Sequence, residues 1–263
     1  MPEGDTIHRA AAQIRGSFDD DPLTAFAART SGIVPGVEPP RPGDTISSVE
    51  ARGKHLLIRF GNGATLHTHL GMLGAWRIRA GGAPLALPRA RTGVAMATEH
   101  AAAVCRTAPV VELLDDGSVR RHPVLRALGP DLCLPDVDLT AVVDRIGSID
   151  AATAVGVVLL DQRVAAGIGN VYRAEVLWAC RVEPWTPVGA LADEAARELY
   201  ATAGRLLRAN LTNRGPRRTV PEGLAVYERA GRPCRRCGTP IRVAPIGDPP
   251  RSAWWCPSCQ TRR

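Results

Sequence analysis

Lysine is almost missing from this sequence. Of the 33 lysine and arginine residues in the 263-residue chain, 32 are arginine, and the single lysine is Lys54, in the segment VEARGKHLLIRF. A coding bias toward arginine explains the excess but not the one lysine that remains. Because lysine can be tuned to lose its proton near neutral pH and arginine cannot, Lys54 is a candidate for proton transfer. The alternative is that it is present by chance.

Long apolar runs are missing too, and so is an export signal. No stretch approaches the ~18 apolar residues that a membrane-spanning helix needs. The first residues include Glu3 and Asp5, whereas a signal peptide would begin with a basic region followed by an apolar one. The sequence therefore predicts a cytoplasmic protein.

The charge of the chain favours a polyanionic partner. The formal net charge is +7 and the pI is about 9.4, values that are common among nucleic-acid-binding proteins. From Arg214 to the end there are eleven arginines and only three acidic residues. This basic C-terminal region predicts a surface that binds phosphates.

Residues 1–130 contain short alternating or apolar segments between glycine and proline turns, which predict β-strands. Before them, GDTIHRAAAQIRGSF predicts a helix with Asp5 or Thr6 as its cap and Gly16 after its end. The segment RTSGIVPGVEPPRPGD predicts a loop. Because there are no regular βαβ units, an N-terminal two-layer β-sandwich with flanking helices fits better than a parallel α/β fold. The chain as a whole is predicted to be a multidomain α+β protein.

Residues 131–222 predict a helical domain. Helical spacing of apolar residues occurs in LTAVVDRIGSI, ATAVGVVLLDQRVAA, NVYRAEVLWAC and ALADEAARELYATAGRLLRANL. The second of these helices is expected to stop at Gly167, and Asn170 to cap the third. A turn that ends at a helix N-terminus presents free N–H groups to a phosphate. The same pattern is also typical of an ordinary helix hairpin.

Four of the seven cysteines form the pairs CRRC and CPSC, separated by eighteen residues. This spacing predicts one structural zinc ion bound by four thiolates, from Cys234, Cys237, Cys256 and Cys259. Two disulfides are the alternative, which a cytoplasmic location disfavours. Residues 223–263 therefore predict a zinc ribbon, with a β-hairpin in RVAPIGDPPRSAWWC. Arg251 falls near its turn, where it either faces a partner or is an ordinary surface arginine.

Four features together resemble one protein family. The chain opens MPEG, carries a lysine on a predicted strand, contains LLDQRVAAGIGNVYRAEVLW and ends in a four-cysteine ribbon. The same features occur in the same order in the formamidopyrimidine-DNA glycosylase and endonuclease VIII family, where the third is a helix–two-turn–helix motif. The strings VEARGKHLL, HPVLRALGPDL and VYERAGRPCRRCG favour the bacterial endonuclease VIII branch, whereas HLGM resembles the formamidopyrimidine branch.

The resemblance implies a bifunctional DNA glycosylase and abasic-site lyase of base excision repair. It would excise oxidised bases, pyrimidines more than purines, and leave a gap by β- or β,δ-elimination. It implies one structural Zn²⁺, no organic cofactor and damaged DNA as the partner. The protein is expected to be a monomer with no membrane partner, associated with the bacterial nucleoid through DNA.

The resemblance also gives chemical meaning to the N-terminus, where proline and glutamate would otherwise be unremarkable. If Met1 is removed, Pro2 carries a free secondary amine. An α-amino group has a pKa of about 7.7–8.0, against about 10.4 for lysine, so far more of it is unprotonated at pH 7. Such an amine can attack a sugar C1′ and form a Schiff base. Glu3 can serve as the general acid and base beside it.

Four further residues match positions of the family's motifs, and a fifth lies beside one. Lys54 would assist sugar opening and β-elimination, and Arg251 would hold the lesion phosphate and support δ-elimination. Asn170 would bind the flanking phosphates. Because the family flips its target nucleotide out of the duplex, an apolar side chain must fill the hole. Met72 occupies that position, the alternative being a core methionine, and Arg126 is the nearest match to a DNA-contacting arginine.

Three positions depart from the family pattern, and two other functions stay open. Thr6 stands where the family has a carboxylate, Gly71–Leu73 replaces a Gln-Leu-Tyr triplet, and Ala127 occupies the strict position of the DNA-contacting arginine. The first two leave the preferred lesion open. One alternative is a non-catalytic nucleic-acid-binding protein, which would need neither Pro2 nor Lys54. The other is a family enzyme specialised for oxidised purines.

Overall fold

The computed structural model describes residues 1–81, 93–212 and 215–261. The chain divides into two compact units, Met1–Ala127 and Leu128–Arg263. Within the described ranges, no helix is long and apolar enough to cross a membrane.

The first unit contains two β-sheets and three helices, α1 (Gly4–Ser17), α2 (Asp116–Arg121) and α3 (Pro123–Ala127), in its described part. Its strands are β1 (Ala25–Arg29), β2 (Gly32–Ile33), β3 (Ile46–Arg52), β4 (His55–Phe60), β5 (Thr65–His69), β6 (Ala75–Ala80), β7 (Gly93–Ala97), β8 (Ala101–Arg106) and β9 (Val110–Leu114). The sheet orders are β1-β7-β8-β6 and β2-β9-β5-β4-β3. The predicted two-layer sandwich is confirmed.

The two faces of the five-stranded sheet differ in chemistry. Because successive side chains of a strand point to opposite faces, one face of β4, β5 and β9 is apolar and joins α1 in the core, through Leu56, Ile58, Leu66, Val111 and Leu113. Strand pairing places the polar residues of these strands together on the other face: His55, His67, His69 and Glu112. The sheet therefore carries its titratable groups on one side only.

Two sequence predictions for this unit are wrong in detail. Helix α1 begins after Glu3 and not after Asp5 or Thr6, and it continues through Gly16 to Ser17. The predicted loop RTSGIVPGVEPPRPGD contains the short strand β2, whose two residues pair in parallel with β9. Such a pairing depends on a distant strand, which a local pattern does not contain.

The second unit begins with helices and ends with a hairpin. Its helices are α4 (Leu139–Ile146), α5 (Val155–Val158), α6 (Asn170–Ala179) and α7 (Asp193–Ala209), with a 3₁₀ turn at Val188–Ala190. The hairpin consists of β10 (Arg242–Ile246) and β11 (Arg251–Trp255). The predicted helices corresponding to α4, α6 and α7 are confirmed, and so is the predicted hairpin.

The helix predicted for ATAVGVVLLDQRVAA is wrong in length, because only the one turn of α5 forms. The backbone N–H groups of Val155 and Gly156 donate to the carbonyls of Thr186 and Pro184, not to their own helix. A Cβ atom at Gly156 would lie 2.9 Å from the Pro184 carbonyl oxygen. This close contact fixes the first turn of the segment, and the helix ends where the N–H of Leu160 donates to the carbonyl three residues back instead of four.

Candidate active site

The N-terminus places a buried carboxylate directly behind Pro2. Glu3 is fully buried and is the residue that precedes the first turn of α1. Its backbone N–H donates to the Thr6 hydroxyl at 3.4 Å. Thr6 therefore supplies half of a capping box, which gives it a structural role at the position where the family pattern has a carboxylate. Pro2 itself is half-buried.

Lys54 lies in the two-residue turn between β3 and β4, so its predicted place on a strand is wrong. The pairing of Arg52 with His55 closes this turn. Gly53 has a φ of +57°, a conformation that glycine adopts without strain and that tight hairpin turns favour. The half-buried Lys54 therefore has a position fixed by the strand pair on either side of it.

A cluster of histidines follows Lys54 on the polar face of the sheet. His55 and His67 are 7% and 1% exposed, and His55 Nδ1 lies 2.9 Å from His67 Nε2. Burial lowers the pKa of His55 to about 3, and the charges of neighbouring histidines and Lys54 act in the same direction. The sequence analysis missed this cluster. Its signal was a histidine on β4 and two at alternate positions of β5, which strand geometry places on one face.

In the second unit, Asn170 lies at the start of α6 but does not cap it. The residue before the helix is Gly169, and Asn170 is its first helical residue. Its side-chain Nδ2 donates to the Ser252 carbonyl at 3.1 Å. Arg173, which is 1% exposed, donates to the same carbonyl at 2.5 Å. The predicted cap is wrong because the helix begins one residue earlier than predicted, so that Asn170 is already within it.

Arg251 opens β11, is exposed and pairs with Ile246 across the hairpin. Its chain neighbour Ser252 is the residue held by Asn170 and Arg173. The guanidinium of Arg251 is therefore presented on a hairpin whose backbone is fixed at the next residue.

The four predicted cysteine ligands lie together, with all sulfur atoms within 4.8 Å of one another. Four thiolates at about 2.3 Å from a tetrahedral zinc ion would lie about 3.8 Å apart. The Cys237–Cys256 and Cys234–Cys259 separations of 3.4 and 4.0 Å fall on either side of that value. They are far longer than the about 2.05 Å of a disulfide. The Trp178 indole N–H donates to Cys234 Sγ at 3.4 Å, a contact that favours a thiolate. The site can hold a metal ion.

Met72 and Arg126 are both on the surface of the first unit. Met72, in the turn after β5, is 69% exposed, and its neighbour Leu73 is 79% exposed. The alternative that Met72 is a core methionine is therefore wrong. Arg126 is an exposed residue of α3.

Comparison with known proteins assigns both units to one class, that of formamidopyrimidine-DNA glycosylases. Residues 1–117 match the formamidopyrimidine-DNA glycosylase N-terminal domain, and residues 128–219 match the formamidopyrimidine-DNA glycosylase H2TH domain. The structure of Lactococcus lactis Fpg in complex with DNA containing an abasic site has the same fold. Its TM-score is 0.80 at 21% identity, with 99% of this chain and 100% of that chain covered.

Two relatives are more similar in sequence. A probable endonuclease 8 2 of Streptomyces coelicolor is 40% identical, over 99% of this chain and 94% of its own length. A DNA-(apurinic or apyrimidinic site) lyase Nei2 of Mycolicibacterium smegmatis is 38% identical, over 99% of both chains. The chain belongs to the formamidopyrimidine-DNA glycosylase and endonuclease VIII family, as its resemblance predicts.

Proposed function

We propose that the protein is a bifunctional DNA glycosylase and abasic-site lyase of base excision repair, which removes oxidised bases, pyrimidines in preference to purines. The observation that supports this most strongly is the fully buried Glu3 directly behind Pro2, at the start of α1, in a chain whose relatives are named endonuclease 8 and abasic-site lyase. A non-catalytic binding protein does not require a carboxylate beside an N-terminal amine. The proposed partner is damaged DNA.

The reaction begins at Pro2, which becomes the N-terminal residue once Met1 is removed. Its uncharged secondary amine attacks C1′ of the damaged nucleotide, the C1′–base bond breaks, and the base leaves with a proton. Glu3 supplies and removes protons at the sugar, because its carboxyl group is adjacent to the amine and shielded from water. The product is an iminium that links Pro2 to the opened sugar.

Lys54 and Arg251 act on the sugar and its phosphates. Lys54 donates a proton as the sugar ring opens. A proton acceptor then removes a C2′ proton, and the 3′ phosphate leaves by β-elimination. Arg251 binds the phosphate at the lesion, because its guanidinium forms paired hydrogen bonds with phosphate oxygens. It thereby supports δ-elimination of the second phosphate. Hydrolysis of the remaining iminium frees Pro2.

The remaining predicted residues bind and deform the DNA. Asn170 contacts the phosphates that flank the lesion, at the helix N-terminus of α6, where the helix dipole favours an anion. Met72 enters the space left by the flipped nucleotide, a role for which its exposed, flexible and apolar side chain is suited. Arg126 contacts the DNA from α3.

The metal that the four-cysteine site would hold is zinc, in a structural role. Cys234, Cys237, Cys256 and Cys259 supply a closed set of four sulfur ligands, typical of structural rather than catalytic zinc. Such an ion fixes the base of the β10–β11 hairpin and so the position of Arg251. No organic cofactor is proposed.

The test is a panel of duplex and single-stranded oligonucleotides, each with one defined oxidised pyrimidine, oxidised purine or abasic site. Base release and borohydride trapping are measured on each. We expect trapping on the abasic site and faster release of oxidised pyrimidines than of purines. Preferential release of oxidised purines would support the second family specialisation, and binding without any release or trapping would contradict the enzymatic proposal.

A further inference from the structure

A continuous chain of hydrogen bonds crosses the polar face of the first unit. His122 Nε2 lies 3.3 Å from Glu112 Oε2, and His67 Nδ1 lies 2.8 Å from the same oxygen. His67 Nε2 in turn lies 2.9 Å from His55 Nδ1. This series of hydrogen bonds therefore extends from the partly exposed Glu112 to the buried His55, which directly follows Lys54.

The hydrogen-bond partners fix which nitrogen of each neutral ring carries its hydrogen. The backbone N–H of Leu125 donates to His122 Nδ1 at 3.3 Å, so the hydrogen of this ring is on Nε2 and points to Glu112. The carboxylate of Glu112 can only accept, so His67 carries its hydrogen on Nδ1. His67 Nε2 must then accept a hydrogen bond from His55 Nδ1. Every bond in the chain has one direction, toward the carboxylate.

The same tautomers suit hydrogen bonding better than metal binding at this cluster. Ligand atoms of His67, Glu112 and His122 lie within 4.8 Å of one another, so their geometry alone is compatible with a metal. A metal would need a lone pair on His122 Nε2, yet the other nitrogen of that ring already accepts the Leu125 N–H. The 2.8 Å distance from His67 to Glu112 is also shorter than the about 3.3 Å expected between two ligands of a tetrahedral zinc ion. The cluster is built for hydrogen bonding.

The histidine rings whose pKa the charge of Lys54 lowers are uncharged at neutral pH. Burial lowers the pKa of His67, although its hydrogen bond to Glu112 opposes the shift. Burial also lowers the pKa of His69, and the charge of Lys54 is the next cause. Together with His55, these rings are neutral when the protein is near pH 7 and can keep their hydrogen-bond directions.

We propose that Glu112, His67 and His55 form a positioning relay for Lys54, an inference that rests on the proposed function. His55 is the residue whose pairing with Arg52 closes the Lys54 turn. The His55 ring, held by a directed hydrogen bond, cannot rotate freely. The relay therefore fixes His55, and with it the turn that positions Lys54. The relay residues act through Lys54 and do not need to touch the DNA.

The test compares two substitutions of His67. Glutamine can replace both hydrogen bonds of the ring, because its amide offers an N–H to Glu112 and an oxygen to His55. Leucine can replace neither. Single-turnover base excision at saturating enzyme is measured together with the Kd for undamaged duplex DNA.

We expect His67→Leu to lower the excision rate by about 10- to 10²-fold, since a displacement of about 1 Å at a catalytic group has a cost of that order. His67→Gln should stay within about threefold of the unsubstituted protein, and neither substitution should change the Kd. A His67→Leu protein as fast as the original would overturn the proposal. A His67→Gln protein as slow as His67→Leu would overturn it too, because proton transfer through the ring would then be the role.

A second measurement does not depend on enzymatic activity. Because Lys54 is the single lysine, protein labelled with ¹³C-lysine gives one lysine Cε resonance. His67→Leu should shift or broaden this resonance, whereas His67→Gln should not. If the original protein excises no base, the proposed function fails, while this resonance still decides whether the relay positions Lys54.

A substitution at the other end of the relay covers the case in which His67→Leu does not fold. Glu112 is 26% exposed, so Glu112→Ala removes the terminal acceptor without leaving a sealed cavity. It should displace the Lys54 resonance and slow excision in the same direction as His67→Leu. An unchanged resonance and rate in folded Glu112→Ala protein would overturn the proposal.

Discussion

Two β-hairpins carry the two cations on which the proposed chemistry depends, and they hold them differently. In the β3–β4 hairpin, Lys54 is half-buried in the turn, and the next residue, His55, is fixed through its side chain. In the β10–β11 hairpin, Arg251 is exposed, and the next residue, Ser252, is fixed through its backbone carbonyl.

The difference matches the task that we propose for each cation. A lysine that exchanges a proton needs surroundings of defined charge, and the neutral histidines behind Lys54 provide them. An arginine that binds phosphate needs only an exposed side chain on a fixed backbone, because its charge does not change. A side-chain relay suits the first task, and a carbonyl clamp from Asn170 and Arg173 suits the second.

The largest structural effect is expected from removing the four-cysteine site below the second hairpin. Cys237→Ala should reduce bound zinc from about one ion per chain to near zero and unfold the hairpin, because folding of a ribbon depends on its metal. DNA affinity should fall by at least about tenfold. Elemental analysis and DNA titration measure both. Cys180→Ala removes a thiol outside the cluster and should change neither. Full zinc content in Cys237→Ala would contradict the four-ligand assignment.

Exchanging the two cations sharpens the comparison directly. Lys54→Arg should lower single-turnover base excision by at least about 10²-fold, because arginine stays protonated and cannot serve as a general acid. Arg251→Lys should cost only about tenfold, through loss of paired phosphate hydrogen bonds. Trapping on a pre-formed abasic site should suffer less in Lys54→Arg, since no base has to leave. Rates within about threefold of each other for the two variants would remove the distinction between the hairpins.

A smaller effect is expected at Met72, which belongs to neither hairpin. Met72→Ala should slow excision from duplex DNA several-fold and leave excision from single-stranded DNA unchanged, because a single strand has no void to fill. Its free energy of unfolding should change by less than about 0.5 kcal/mol, since the side chain is exposed. An equal loss on both substrates would argue against the void-filling role.

The smallest expected effect is a pH dependence confined to the first hairpin and its sheet. Free histidine takes up a proton near pH 6.5, whereas burial lowers the pKa of His55 to about 3 in the folded protein. Between these values the unfolded chain binds more protons, so the free energy of unfolding falls as the pH falls. Thermal unfolding from pH 7.5 to 4.5 should show this loss, and His55→Gln should reduce it. A slope unchanged in His55→Gln would assign the acid sensitivity to other groups.

The sequence predicted the residues of both hairpins better than it predicted how they are held. The β10–β11 strands and the four-cysteine cluster follow from local spacing, and the structure confirms them. Lys54 is predicted on a strand, whereas the structure places it in a turn. The His55–His67–Glu112 chain needs the register of three strands, which no local pattern contains. In the same way, the amide of Asn170 has a distant partner on β11, and the start of α5 is held by the carbonyls of Pro184 and Thr186.

The most direct test of the account identifies the nitrogen that bonds to the sugar. Two aliphatic amines could form the borohydride-trapped complex, the N-terminal nitrogen and the side chain of Lys54. The protein has no second lysine, because its other 32 lysine or arginine positions are arginine. Trapping on abasic DNA, followed by protease digestion and mass spectrometry of the cross-linked peptide, separates them. The account predicts the sugar adduct on Pro2, in protein that lacks Met1, and none on Lys54. An adduct on Lys54, or full trapping by protein that retains Met1, would contradict it.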